Sequence, residues 1–363
     1  MKIIHQLVRS IANYFAEFKY SKSIYKKKIY NFLFVFSESF IFPNDKRLTD
    51  LIKLKRNDNK NIFIYILPIW GEVYSDAFFD HFLPSLLSKN NIWWLANNYN
   101  VKIFIYGDNI FEFKLKNNTF YNEQLKKLNT QFQNLDSFKQ DKDRDFLSSI
   151  ILNTYIEHAS DCLKNNATSI NLAADHILPS NYLKNLSTII HGKPFCYSHS
   201  HMRVSTNILS SIYEYKKDNI INISSDKLVF LSKKFPFSHI KHMNDELDSN
   251  LTHLGFSWRE IDNNNYAVVN GVIGTMTFNF IEDDISFLNS LKSWSAHDRQ
   301  IPQYLLTSKR MKLISSSDLA FLAEVTYSDS EFNLKENNKY NDLTKSNKLA
   351  SNTWNSIVGN WRS

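Results

Sequence analysis

At 363 residues with 43% hydrophobic side chains, the chain is long enough for one large α/β domain with additions, or for two domains. Two cysteines are too few for a disulfide framework, and neither G-x-G-x-x-G nor G-x-x-x-x-G-K-[ST] occurs among only seven glycines. No run approaches the roughly 20 apolar residues of a spanning helix and no signal-peptide pattern opens the chain, so the expected setting is cytoplasmic and reducing.

The formal charge of +7 is concentrated at one end. Residues 1–30 hold seven basic side chains and one acid, Glu17, beside an apolar helical stripe of Ile3, Ile4, Leu7, Val8, Ile11, Tyr14, Phe15 and Phe18. A basic amphipathic helix of this kind can lie on an anionic membrane surface, which predicts peripheral association with the inner face of the membrane. The bland alternative is packing on the protein's own core or on a second subunit. No nucleic-acid motif accompanies the charge, and nucleic acid is not an expected partner.

From residue 61 the chain alternates. "NIFIYILPIW" is a near-continuous apolar run, as expected of a strand buried on both faces. A loop with Gly71 and Glu72 leads into "SDAFFDHFLPSLLS", helical in its spacing but interrupted by Pro84. "VKIFIYGD" is the next strand, completing a βαβ unit whose ligand sites belong at the carboxyl ends of its strands. A long helix over residues 143–163 follows, then the strand "ATSINLAA", then Asp175, a helix over residues 180–190 and the strand "KPFCYS". Asp175 thus falls at the carboxyl end of a central strand.

The stretches "LPIWGEVYSDAFFDHFLPSLLSKNNIWWLANNYNVKIFIYGD" and "NLAADHILPSNYLKNLSTIIHGKPFCYSHSHMRV" resemble a family of bacterial glycosyltransferases with a GT-A-like fold. The likeness reappears in "SSDKLVFLSKKFPFSHIKHM" and "SSDLAFLAEVTYSD" and covers residues 62–329. The resemblance implies a Rossmann-type nucleotide-sugar domain with a mostly parallel central sheet. It also implies transfer of a sugar from a nucleotide-activated donor to a glycan or lipid-linked acceptor during surface polysaccharide assembly. Asp175 falls where such enzymes place an Asp-x-Asp signature that holds Mg²⁺ or Mn²⁺ against the donor phosphates. Here Ala173 stands for the first acid and His176 follows Asp175, so the implied metal ligands reduce to Asp175 and His176.

Other residues carry paired readings. Trp70 and Glu72, with Tyr74 and Asp76 beside them, offer a stacking face and acceptors for a nucleoside; alternatively Trp70 caps the core and Ser75 or Asp76 caps the helix. Asp108 is a second strand-end acid, with a nucleobase role or a turn role. Arg203 suits a diphosphate by its planar fork, or an ion pair with an acid. His199 and His201 share a face in an extended strand, the pattern of a metal pair, with Cys196 on the opposite parity. An inverting transferase also needs a general base for the acceptor hydroxyl. Asp298, among Trp294, His297 and Gln300, and Glu324, which follows an apolar run and has a buried ion pair as its alternative, are the candidates.

The expected organisation is a basic helical appendage over residues 1–58, a GT-A-like core over 59–330 and a polar tail over 331–363. Two rivals to a transferase are a non-catalytic sugar-binding or assembly protein on a degenerate transferase fold, and a nucleotide-sugar or phosphate-ester hydrolase.

Overall fold

The computed structural model describes residues 60–138, 146–190, 195–237, 256–262, 265–270, 275–291, 301, 304–305, 308, 310–314, 317–327 and 358–362. The basic appendage of residues 1–58 and the candidate base Asp298 lie outside them. The chain divides into two compact units, residues 1–55 with 303–310, and residues 56–302 with 311–363; the sheets and the candidate site belong to the second.

The strands of this second unit are β1 (Asn61–Ile69), β2 (Asn100–Gly107), β3 (Thr130–Asn134), β4 (Thr168–Leu172), β5 (His176–Ile177), β6 (Cys196–Ser198), β7 (Ser200–Ser205), β8 (Lys216–Lys217), β9 (Ile220–Ile221), β10 (Phe256–Asp262), β11 (Asn265–Asn270), β12 (Met276–Phe278), β13 (Met311–Leu313), β14 (Phe321–Thr326) and β15 (Val358–Arg362). Seven of them form the central sheet in the order β13-β6-β12-β4-β1-β2-β3, with only β12 running antiparallel to its neighbours. The fold is therefore α/β with a mostly parallel sheet. Successive strands step outward from β1 to β2 and β3, and the chain then returns to place β4 on the other side of β1. That reversal makes the carboxyl ends of β1 and β4 the switch point, where open α/β sheets bind ligands. Ile66 sits opposite Leu172, so the two strand ends are adjacent.

Burial of both faces explains the apolar runs. Ile62, Ile64 and Ile66 of β1 pack with Phe78, Phe82 and Leu86 in one core. Tyr65, pointing the other way, meets Tyr155 at 5.4 Å between ring centroids and hydrogen-bonds Thr154 at 2.7 Å. Both partners stand on α6 (Phe146–Lys164), the long helix the periodicity predicts.

The helix after β1 has an irregular course. It runs as α1 (Gly71–Ala77), opens into a π turn (Phe78–Phe82) and resumes as α2 (Leu83–Leu86). Pro84 supplies the reason: it has no N–H for the carbonyl four residues back, that of Asp80, and its ring crowds that carbonyl. Lys216 Nζ donates to the Asp80 carbonyl instead, at 3.0 Å. The remaining helices are α3 (Ile92–Asn98), α4 (Asn109–Asn117), α5 (Thr119–Lys127), α7 (Tyr182–Ile190), α8 (Ile208–Tyr213), α9 (Ser225–Lys234), α10 (Glu282–Ser290) and α11 (Ser317–Ala320).

A second, three-stranded sheet has the order β5-β14-β7, antiparallel between β5 and β14 and parallel between β14 and β7. One of its faces, with Ile177, Met202, Val204, Phe321, Ala323 and Val325, joins a separate apolar core with α8 and α9. Its other face carries Leu322, which packs into the main core, and the polar side chains of the candidate site. Within the segment expected as a polar tail, residues 358–362 form β15, which pairs with β11.

Candidate functional site

Two cross-strand pairs put three predicted site residues in one row. Glu324 on β14 lies opposite His176 on β5 and opposite Arg203 on β7. Directly opposed residues share a face of a sheet, so these three side chains project together, and His201, two residues before Arg203, joins them. Asp175 precedes β5 in the turn that leaves β4. Its carbonyl accepts the Val325 N–H at 2.9 Å, tying the turn to β14. This turn is thus the junction between the two sheets, directly past the switch point.

Buried amides and hydroxyls hold this junction. Asn91 donates to the carbonyls of Ser85 and Pro179, both at 2.9 Å, and accepts the Leu183 N–H at 3.0 Å. Ser85 Oγ accepts from the Leu178 N–H at 3.1 Å. The segment after Asp175 is therefore fastened to the helix that follows β1. Nothing in the spacing of "LPSLLSKNN" announces that role, because a buried Asn becomes legible only with its partners.

The charges sort into opposite states. Glu324 receives the Arg203 Nε–H at 2.8 Å, with His201 Nε2 at 3.8 Å from its other oxygen. Burial works against its charge, but Arg203, His201 and His176 outweigh burial and hold its pKa below the ordinary carboxylate value. Asp175 is the reverse case. Burial first, and then the neighbouring Glu324 charge, push its pKa up to about 8, with Arg203 opposing. Its Oδ1 is buried without a hydrogen-bond partner. The junction thus sets a carboxyl group held toward its charged form, Glu324, beside one held toward its neutral form, Asp175.

His176 does not behave as a metal ligand. Its Nδ1 accepts the Ala173 N–H at 3.0 Å, and burial holds its pKa down to about 4. A neutral ring with Nδ1 as acceptor carries its proton on Nε2, the atom 4.0 Å from Asp175 Oδ1 and 3.4 Å from Thr275 Oγ1. No lone pair is left for a cation. Among the described residues no group of three or more His, Cys, Asp or Glu side chains has the geometry of a metal site. The implied Mg²⁺ or Mn²⁺ pair of Asp175 and His176 does not fit this arrangement. His199 and His201 are no pair either: His199 is held between the Tyr182 hydroxyl at 2.5 Å and Thr277 Oγ1 at 2.6 Å, and His201 faces Glu324.

The loop after β1 brings an aromatic wall to the same place. Trp70 and Tyr74 lie 6.2 Å apart between ring centroids, Tyr74 and Tyr327 6.3 Å, and Tyr327 stacks on His81 at 6.2 Å. Tyr327, one residue past β14, has its pKa raised by burial and then by the Asp175 charge, which joins the wall to the carboxyl cluster. Glu72 is exposed in the first turn of α1, Trp70 is half-buried, and Asp76 pairs with Lys114 rather than capping α1.

Asp108 takes the turn role. Its Oδ1 accepts the Phe111 N–H at 2.8 Å as the N-cap of α4, and its Oδ2 accepts the Gly71 N–H at 2.7 Å. Gly71 adopts φ +71°, a conformation that suits glycine. One carboxylate thus fixes both loops at the carboxyl ends of β1 and β2. His81 and Tyr327 are members of the site that sequence reasoning passed over, and His201 enters it in a role other than the metal pair. His81 lay hidden in a helical apolar run, and Tyr327 and His201 gain their meaning only from strand pairing.

No family model and no curated protein sequence matches the chain.

Proposed function

We propose that the protein is a glycosyltransferase that moves a sugar from a nucleotide-activated donor to a glycan or lipid-linked acceptor, on a GT-A-like domain. The observation that carries this reading is the convergence of Asp175, Arg203 and Glu324 at the switch point, beside the aromatic wall that begins at Trp70. Such a site has a place for a nucleoside, a cation for a diphosphate and a carboxyl group poised to exchange a proton.

The roles follow from the chemistry. The nucleoside of the donor stacks at Trp70, with the exposed Glu72 within the same loop as an acceptor for ribose hydroxyls. Arg203, oriented through its Nε by Glu324, faces the diphosphate with its planar fork. Asp175 in its carboxylate form takes the proton of the acceptor hydroxyl as that oxygen bonds the anomeric carbon. The bond from that carbon to the phosphate oxygen breaks in the same step, and nucleoside diphosphate leaves with the electron pair. Glu324, a candidate base from sequence, is instead the ionised partner of Arg203. The proton-accepting role passes to Asp175, whose pKa lies close to the working pH.

The test is thermal unfolding of the full chain with uridine, cytidine and guanosine diphosphates, each with and without EDTA. At a hundredfold excess over Kd a bound nucleotide stabilises by about 2.7 kcal/mol, and at least one of the three is expected to do so in both conditions. Absence of a shift with all three would overturn the reading.

A further inference from the structure

We propose that Tyr74, Tyr213 and Tyr327, rimmed by Asp80 and Lys216, form the platform on which a sugar ring of the acceptor lies. This rests on the transferase reading and adds to it that the group next to Asp175 is a carbohydrate, whatever carries it.

The five residues come from five places in the chain. Tyr74 stands on α1, Asp80 in the π turn, Tyr213 at the end of α8, Lys216 in β8 and Tyr327 just past β14. Tyr74 and Tyr327 meet edge to face, with centroids 6.3 Å apart at 68°. Lys216 Nζ lies 5.6 Å from the centroid of the Tyr213 ring while it donates to the Asp80 carbonyl. Lys216 thus ties the Tyr213 ring to the π turn that continues directly from α1, where Tyr74 stands against Tyr327. The Pro84 device serves this cluster: by denying the Asp80 carbonyl its helical partner, it leaves that oxygen to anchor Lys216.

Exposure separates the cluster from core. Tyr74 and Tyr213 are each 39% exposed, and neither joins the two apolar cores. Half-exposed aromatic faces beside an exposed carboxylate and an ammonium group suit one class of ligand. A sugar ring has an axial C–H face that packs on aromatic rings and a rim of hydroxyls that both donate and accept. Asp80 supplies acceptors for that rim and Lys216 supplies donors. A lipid surface would leave Asp80 facing apolar matter or anionic headgroups, and an acidic peptide would meet its repulsion. Continuity with the proton-accepting group runs along the chain at the end of β14, where Val325, two residues before Tyr327, donates its N–H to the Asp175 carbonyl at 2.9 Å.

The experiment is saturation-transfer NMR on the full chain with the methyl glycosides of glucose, galactose and N-acetylglucosamine. At least one glycoside is expected to receive saturation on its ring C–H face. That transfer should fall about fivefold to tenfold in Tyr213→Ala and in Lys216→Met, and persist in Tyr213→Phe, which keeps the ring and controls for folding. Equal transfer in wild type and Tyr213→Ala, or no transfer with any of the three glycosides, would overturn the platform. The nucleotide shift is measured on the same samples. If glycosides bind through the tyrosines but no nucleotide does, the platform stands and the transferase reading falls.

Discussion

Burial and then the Glu324 charge disfavour the carboxylate form of Asp175, and Arg203 together with a backbone hydrogen bond opposes them without reversing the shift. Its pKa in the folded protein, about 8, lies above the value of about 3.9 for an unfolded aspartate, so as pH rises the unfolded chain releases this proton first. The stability Asp175 contributes is therefore fully present below about pH 4 and is lost as pH rises through about 8. Asn has nearly the same shape and no proton to lose. Asp175→Asn should be more stable than wild type at pH 8–9, by about 1–2 kcal/mol, while transfer falls by about 10²–10⁴. Calorimetry and turnover on the same preparation check both halves, and unchanged turnover would leave Asp175 a structural residue of the turn between β4 and β5. Glu324 shows the opposite case: it was readable as a candidate base or as half of a buried pair, and its 2.8 Å contact with Arg203 makes it the pair.

At the scale of elements, Asp108 is the clearest structural part. It caps α4 and also holds the Gly71 N–H, so Asp108→Ala removes one cap and one loop tie together. The expected cost is about 2 kcal/mol in urea unfolding, with the nucleotide-induced shift retained. Loss of the shift with stability intact would restore the nucleobase role. How far elements were legible depends on where their information lies. β1, β2, β4 and α6 announce themselves because their own residues carry the period of the surfaces they bury. Pro84 signals an interruption but not its form, since whether a helix kinks or widens depends on what receives the orphaned Asp80 carbonyl. The small sheet was not legible at all. β5 is two residues long, and β14 owes its place to partners far away in the chain, which local pattern cannot encode.

For the whole molecule, acid sensitivity follows from histidines kept neutral inside it. Burial lowers the pKa of His81, His158 and His199 to about 3 and of His176 to about 4, against an ordinary value near 6.5. The unfolded chain binds these protons more readily, so the stability each contributes is present above pH 6.5 and is lost as pH falls toward its folded value. Each adds up to about 1.4 kcal/mol per pH unit, and four together exceed the opposite trend of Asp175. Urea midpoints measured from pH 7 to pH 5 should fall steeply; a flat profile would mean the rings are already protonated in the fold. The α/β class and the parallel sheet could be read from the alternation of runs, whereas β15 could not, because its Asn- and Lys-rich surroundings read as solvated tail. The small sheet finally bears on the order of events during synthesis. β5 and β7 leave the ribosome long before β14, which alone joins them. Until residues 321–326 emerge, Asp175 has neither Glu324 beside it nor the Val325 N–H on its carbonyl. The part of Asp175's proton affinity that comes from Glu324 is therefore acquired only with β14, after the strands of the central sheet have been made.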